Sequence, residues 1–224
     1  WDQNMTNLST SITFDLKSGL ANVHAVHSYS GHSASYIQPF FTYLSVQSQR
    51  ESGEGIVSGG AFDARPKNLH ITGFDSDDTL YVHPFKVEAD FITNAYLEKT
   101  CDKFIFKVGE VMGSQVEMYQ KETRRSDMVL GYPHGFYREI SFVVPEGYKV
   151  TNLESVNMNI TDSDSTSHSM LFHSYYKREG DNVKIIVEES YQKTHYPIAF
   201  YNDFRNVINA SADFNKVVVY FEKK

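Results

Sequence analysis

Alternation of apolar and polar positions is the dominant pattern at the start of the chain. Ile12, Phe14 and Leu16 alternate with polar residues, and the alternation resumes over residues 21–25 after a turn at residues 17–19. A period of two residues sends successive side chains to opposite faces of a strand. The pattern therefore predicts a β-hairpin.

Short apolar runs bounded by Gly, Pro, Asn, Asp or Ser continue the strand pattern to the end of the chain. Turn chemistry at residues 75–78 and 178–182 separates neighbouring runs. The chain is therefore predicted to be mainly β. The predicted strands are residues 69–74, 80–89, 103–108, 136–144, 154–159, 169–177, 183–191 and 217–221.

Two segments have the three- and four-residue spacing of an amphipathic helix. Tyr36, Phe40 and Tyr43 predict a short helix within residues 33–50, with Pro39 in its first turn. A second helix is predicted over residues 197–214, starting on a proline suited to a first turn. Residues 51–60 contain four glycines and few apolar side chains, and this composition predicts an exposed, mobile loop.

The irregular stretch between Glu110 and Pro133 divides the strand pattern into two parts. We therefore predict two antiparallel β-sandwich-like units. The N-terminal unit is residues 1–120, and the C-terminal unit, which carries the helix, is residues 121–224. A single extended sandwich is the alternative.

Charge and hydropathy exclude several classes of partner. The formal net charge of −7 over 224 residues disfavours a nucleic-acid backbone or an anionic membrane surface. Lys121, Arg124 and Arg125 form the tightest basic group, but Glu122 interrupts it, which indicates a solvated face. No stretch approaches the roughly 18–20 apolar residues that cross a bilayer. We expect neither nucleic-acid binding nor a membrane span.

Cys101 is the only cysteine, which excludes an intramolecular disulfide and a multi-cysteine metal site. A nucleophilic thiol needs a neighbour that stabilises its thiolate form, whereas the carboxylate of adjacent Asp102 would destabilise it. Cys101 is therefore interpreted as structural or incidental. The sequence also lacks a phosphate-binding loop, a Gly-x-Ser-x-Gly elbow and a His-Glu-x-x-His motif. We expect no catalytic residue and no cofactor.

Residue types that bind metals are present, but their spacing does not make them converge. Two of the three histidine pairs would point to opposite faces of a strand, and the third depends on an unknown register. The acidic clusters at residues 75–78 and 162–164 lack the twelve-residue calcium loop, so we interpret them as turn caps and expect no metal. The histidine pairs are His24 with His27, His168 with His173, and His70 with His83.

The surplus of aromatic residues, 16 Phe and 15 Tyr, has two interpretations. In a β protein most rings fill the core and cross-strand pairs. Exposed clusters would instead stack on a sugar or dock a neighbouring domain. The candidate docking surface consists of Tyr29, Tyr36, Phe40, Tyr43, Tyr175 and Tyr191.

Several segments together resemble a known family. Gly-Tyr-Pro at residues 131–133 and Phe-Val-Val-Pro-Glu-Gly-Tyr-Lys-Val at residues 142–150 resemble the region that follows the core of bacterial transglutaminase-like proteins, especially those of Bacteroidetes. Residues 196–216 are similar to the end of those chains. Residues 29–31 and 120–125 fit the same region, so the resemblance covers nearly the whole sequence.

The resemblance implies a protein with an N-terminal β-sandwich domain, a papain-like core with Cys, His and Asp, and a β-rich domain of unknown function like this chain. Cys101 does not match the Gly-x-Cys helix start of that core, and matching downstream His and Asp segments are missing. No catalytic role is therefore carried over. The resemblance implies export to the periplasm or cell surface, with a transglutaminase-like core as partner.

Three hypotheses of function follow. The first is a non-catalytic accessory region that packs on such a core or binds a partner or substrate. The second is an independent carbohydrate- or protein-binding β-sandwich module, which would present two or three coplanar exposed aromatic rings. A third, an enzyme with an unrecognised site, would need titratable groups that converge in a pocket. A chain that opens on Trp1 is expected to be a processed product or a segment of a longer protein.

Overall fold

The structure is a computed structural model that describes residues 2–74, 83–120, 124–164 and 168–224. Fourteen strands and four α-helices lie within these ranges. The helices are α1 His32–Ser35, α2 Ile37–Tyr43, α3 Val46–Ser58 and α4 Tyr201–Phe214. The strands are β1 Met5–Asp15, β2 Leu20–Tyr29, β3 Lys67–Thr72, β4 Phe85–Thr93, β5 Leu97–Lys99, β6 Lys103–Phe106, β7 Met128–Val129, β8 His134–Val143, β9 Tyr148–Thr151, β10 Met158–Thr161, β11 Met170–Glu179, β12 Asn182–Tyr191, β13 His195–Tyr196 and β14 Val219–Lys223.

Eight strands form one large sheet in the order β10-β11-β12-β8-β1-β2-β4-β3. Its hairpins pair antiparallel, including the predicted β1–β2 hairpin, in which Ile12 lies opposite Val23. At the centre, however, β1 runs parallel to β8, with Thr10 opposite Ile140. A smaller sheet has the order β5-β6-β14-β9, and β7 pairs with β13.

This topology corrects the division into two antiparallel units. The large sheet joins strands of residues 1–120 to strands of residues 121–224 through the parallel β1–β8 pair. The smaller sheet also takes strands from both halves. The predicted mainly β class, with a helix near the C-terminus, is confirmed. The physical reason for the difference is that strand pairing is non-local, whereas alternation along the sequence reports only local structure.

The two sheets pack face to face around a cluster of phenylalanine rings. Phe14 of the large sheet lies 4.8 Å from Phe106 and 5.0 Å from Phe221 of the smaller sheet, measured between ring centroids. Phe142 of β8 lies 5.2 Å from Phe106. Such pairs each contribute about 0.5–1.5 kcal/mol beyond the burial of their area. Since the rings come from both halves of the chain, the core is shared as well.

Helix α4 covers the same face of the large sheet at another point. Its Phe214 lies 6.0 Å from Phe172 of β11, and its Phe204 lies 5.5 Å from Tyr191 of β12. Pro197 and a short 3-10 turn at Ile198–Phe200 precede the helix. The α-helix therefore begins four residues later than the predicted start at residue 197.

The predicted loop at residues 51–60 is wrong for most of its length, because α3 continues to Ser58. The predicted helix within residues 33–50 is divided among α1, α2 and the first part of α3, and Pro39 lies in the first turn of α2. Gly53 shows why this segment contains glycine although it is helical. A Cβ at that position would lie 2.6 Å from Ile71 Cδ1, so glycine allows α3 to approach β3 closely.

Other boundaries differ by a few residues. The segment predicted as a strand at residues 154–159 begins as a 3-10 turn, Leu153–Val156, and only then continues as β10. Trp1, the predicted turn at residues 75–78 with its acidic cluster, the start of the strand predicted at residues 80–89, and Lys121 with Glu122 lie outside the described residues. Within the described ranges, no helix is long and apolar enough to cross a bilayer.

Producing the two halves of the chain as separate fragments tests whether each half can fold without the other. We expect that residues 1–120 and residues 121–224, produced as independent fragments, each lack a cooperative urea transition, because each loses the partners of its central strand and part of the phenylalanine cluster. The full chain is the control and unfolds cooperatively. A cooperative transition in either fragment alone would restore the two-unit division.

Substitution of two glycines in α3 tests the packing of that helix. Gly53→Leu is expected to lower the free energy of unfolding by about 1–3 kcal/mol, because the larger side chain overpacks the contact with Ile71. Gly55 meets no atom within 4 Å of an added Cβ, so Gly55→Ala is the matched control and is expected to raise stability by about 0.5–1 kcal/mol. Urea denaturation measures both changes. Equal effects at the two positions would contradict the packing of α3 on β3.

Candidate functional site

Helix α2, together with its N-cap residue Tyr36, carries an exposed row of aromatic side chains. Tyr36, Phe40 and Tyr43 are 76%, 56% and 89% exposed, and Val46 at the start of α3 is 83% exposed. Spacings of four and three residues place the three rings on one side of the helix. These four residues are called the aromatic stripe below.

The stripe faces outward because the opposite side of α2 is anchored in the protein. Gln38 is fully buried, and its Nε2 donates to the carbonyl oxygens of Gly73 at 2.7 Å and His83 at 2.8 Å. Phe41 is 2% exposed, and its ring centroid lies 4.7 Å from that of Phe85 on β4. The buried amide and ring set the rotation of the helix about its own axis.

The remaining predicted docking residues do not join the stripe. Tyr29 is half-buried against Phe85, and burial raises its pKa. Tyr191 was predicted to be exposed, but it is 4% exposed and its hydroxyl donates to Glu189 Oε1 at 2.9 Å. Burial, followed by the nearby Glu189 carboxylate, raises the pKa of Tyr191 well above its ordinary value. Tyr175 is half-buried on the face of the large sheet opposite Tyr191, since it pairs with Ile186 on β12.

A buried ion pair, which the sequence analysis did not identify, lies under α4. Arg138 Nη1 lies 3.0 Å from Glu189 Oε2, and the two side chains are 8% and 7% exposed. Ser211 Oγ of α4 lies 3.2 Å from Glu189 Oε2 and 3.0 Å from Gln115 Oε1. The network connects β8, β12 and α4 beside a cavity of about 200 Å³. The sequence does carry one sign of this ion pair. Arg138 is a charged residue at an inward position of β8, two residues from Phe136 and Ile140.

This network predicts that replacing one partner of the ion pair lowers the free energy of unfolding much more than replacing both partners. Arg138→Met is expected to lower the free energy of unfolding by about 3–5 kcal/mol, because Glu189 keeps a buried charge without its partner. The double variant Arg138→Met with Glu189→Leu is expected to recover most of that loss. Urea denaturation of the two variants gives the comparison. A double variant as unstable as Arg138→Met would show that the charge is not the source of the cost.

The histidine pairs do not come together at a metal site. His24 Nδ1 lies 2.9 Å from Asp90 Oδ1, whereas His27 points to the other face of β2, and burial lowers its pKa to about 4. His168 lies 3.8 Å from Asp162, and His173 lies 3.6 Å from Glu188. His70 is opposite Glu88 on β4, and His83 precedes that strand. Across the described ranges, no three His, Cys, Asp or Glu side chains are grouped so that they could hold a metal ion.

The other candidates for chemistry also stand apart. Cys101 is exposed in the turn between β5 and β6. The Asp162 carboxylate accepts hydrogen bonds from Ser169 Oγ at 2.8 Å and from the Met170 amide at 3.1 Å. Asp162 therefore bonds to the start of β11, and the turn-cap interpretation of the cluster at residues 162–164 stays a prediction. The aromatic stripe is thus the candidate in which neighbouring apolar side chains are exposed together.

The comparisons with known proteins identify a family without a known activity. No curated protein matches the chain. Residues 102–221 match a family model described as a domain of unknown function with a solved structure, DUF3858. The matched segment runs from the β5–β6 turn through α4 into β14 and covers more than half of the 224 residues. The chain therefore belongs to the DUF3858 family.

Proposed function

We propose that this chain is a non-catalytic accessory region that docks on another protein domain through the aromatic stripe. The observation that carries the proposal is the exposure of Tyr36, Phe40 and Tyr43 on a helix whose opposite side is anchored by Gln38 and Phe41. Grouped apolar surface of this kind marks interfaces, and aromatic side chains are enriched at their centres. Anchoring lowers the entropy cost of ordering the helix on binding.

The proposed partner is a transglutaminase-like core joined to the N-terminal end, in a protein exported to the periplasm or cell surface, as the family resemblance implies. The position of that end supports a partner there. The Gln3 carbonyl accepts a hydrogen bond from Ser30 Oγ at 2.8 Å, and Asn4 Oδ1 accepts one from the His32 amide at 2.9 Å. A domain attached at this end would need only a short linker to reach α2, which favours docking through a high effective concentration.

A protein partner is favoured over a glycan by the shape of the stripe. Sugar-binding rings usually lie in one plane, on a flat sheet face or in a groove. Tyr36, Phe40 and Tyr43 instead project from the convex surface of a helix, where successive rings follow its curvature. Such a row fits a groove on a folded partner in the way that amphipathic helices bind grooves.

Isothermal titration calorimetry of the isolated chain with a separately produced core domain tests the docking. The core is taken from the reading frame that encodes this chain. Phe40→Glu is expected to weaken the binding at least about tenfold, because it places a charge in the centre of the interface. Val129 is 74% exposed and lies on β7, so Val129→Glu is the matched control and leaves the affinity unchanged.

Three results would overturn the proposal. They are a reading frame without such a core, no heat of binding with the unmodified chain, and equal losses for Phe40→Glu and Val129→Glu. Hydroxyl-radical footprinting of the joined protein supplies a second measurement. Oxidation of Tyr36 and Tyr43 is expected to fall relative to the isolated chain, while oxidation of Tyr119, which is 49% exposed beside α4, stays the same.

A further inference from the structure

The large sheet has a second surface, on the face opposite to the phenylalanine cluster and to the packed helices. Inward residues of β4, such as Val87 and Phe91, are buried, whereas Glu88, Asp90 and Ile92 point to the other face. A cavity of about 1140 Å³ lies over that face. Its lining residues belong to seven neighbouring strands, from β3 at one side to β11 at the other. Six strand spacings span about 29 Å on a flat sheet, so the lined surface extends across most of the large sheet. This concave surface is called the trough.

The floor of the trough is made of small polar side chains. Ser11 lies opposite His24 on β2 and Ser141 on β8, and Thr13 lies opposite Asn22. Within the described part of the chain, the hydroxyls of Ser11, Thr13 and Ser141 form no side-chain hydrogen bond. They are therefore available to a ligand as donors and acceptors.

Cations stand on both sides of this floor. Arg65 and Lys67 line the trough beside β3, and Lys177 and Lys184 line it on β11 and β12. Lys184 is paired with Glu139, with Nζ 2.8 Å from the carboxylate. Arg65, Lys67 and Lys177 form no ion pair with any carboxylate of the described residues.

The acidic residues of the trough compensate only part of this charge. Asp90 stays ionised, because hydrogen bonds from Asn68 Nδ2 and from His24, both at 2.9 Å, lower the pKa of its carboxyl. Glu179 is the other lining carboxylate, and it lies at the end of β11, next to the hairpin turn. Since Lys184 is paired with Glu139, three lining cations remain against these two carboxylates, so the trough keeps a small positive charge in a chain whose formal net charge is −7, and this charge attracts anions.

We propose that the trough binds an extended acidic segment of another polypeptide. An extended chain sends successive side chains to opposite sides, so carboxylates on one side reach Arg65 and Lys67 while those on the other reach Lys177. Its backbone amides and carbonyls lie over the serine and threonine hydroxyls of the floor. Ile92 and Val143, 50% and 44% exposed, contact the aliphatic parts of its side chains.

The lining favours a polypeptide over an anionic polysaccharide. A sugar chain is commonly held by stacking on exposed rings. The two aromatic residues that line the trough, Phe91 and Phe142, are 4% and 2% exposed because their rings point into the core. The trough is also separate from the aromatic stripe, because α2 and α3 pack on the buried face of β4. The two surfaces can be occupied together.

Fluorescence anisotropy with a labelled ten-residue peptide that repeats Glu-Glu-Ala-Ala, which places carboxylates on both sides of an extended chain, tests this inference on the full chain. The expected result is saturable binding that weakens as salt is raised. Lys67→Ala and Lys177→Ala are each expected to weaken it about two- to fivefold, and about tenfold together. Ser11→Tyr is expected to abolish it, because the ring fills the floor.

Lys99→Ala is the matched control. Lys99 lies on the smaller sheet with its Nζ 5.9 Å from the Phe104 ring, and Lys177 lies 5.7 Å from the Tyr175 ring. The control variant is expected to keep the affinity of the unmodified chain. Urea denaturation of each variant shows that the fold is retained.

Four results would overturn the inference. They are the absence of saturable binding, equal binding of a Lys–Ala peptide, an equal loss with Lys99→Ala, and tighter binding of polygalacturonate than of the acidic peptide. The last result would assign the trough to an anionic glycan. Because none of these measurements involves α2, they are independent of the docking proposed for the aromatic stripe.

Discussion

The parallel pairing of β1 with β8 is the constraint on which the rest of the structure depends. Eight consecutive residue pairs, from Met5 with Gly135 to Ile12 with Phe142, join the β1–β2 hairpin to β8, which is far away in sequence. Without this pairing, β1 and β8 would each be an unpaired edge, which is a site for aggregation. The pairing also places Phe14 and Phe142 on the same face, where both pack against Phe106 and Phe221 of the smaller sheet. One backbone register therefore creates both the continuous sheet and its core.

Local patterns in the sequence predicted most strands, because alternation directly reports which side chains share a face. The β1–β2 and β11–β12 hairpins were found in this way, since a short turn also determines the partner strand. The β1–β8 pair could not be found, because alternation is the same for any register and any partner. Helix α3 was missed for a different reason. Glycine usually marks a turn, but Gly53 lies where the helix backbone approaches Ile71.

The same limit applies to the candidate sites. Tyr175 and Tyr191 lie in two different predicted strands. Alternation within each strand does not say which of the two side chains faces the core. The β11–β12 register decides this, since Tyr191 pairs with buried Met170 and Tyr175 pairs across the opposite face. The aromatic stripe was predictable in part, because Tyr36, Phe40 and Tyr43 have helical spacing. Their exposure follows from the burial of Gln38, a polar residue whose partners are carbonyls distant in sequence.

The extent of the family match bears on where function is located in this molecule. The match covers residues 102–221, and the aromatic stripe lies entirely before it. The trough lies partly inside the match, since Ser141, Lys177 and Lys184 fall within it while Ser11 and Lys67 do not. Because β1 separates β2 from β8 in the sheet, neither side of the trough keeps its position without the strands that precede residue 102. The structural unit that forms the two proposed surfaces is therefore larger than the matched segment, and it includes the hairpin that β1 begins.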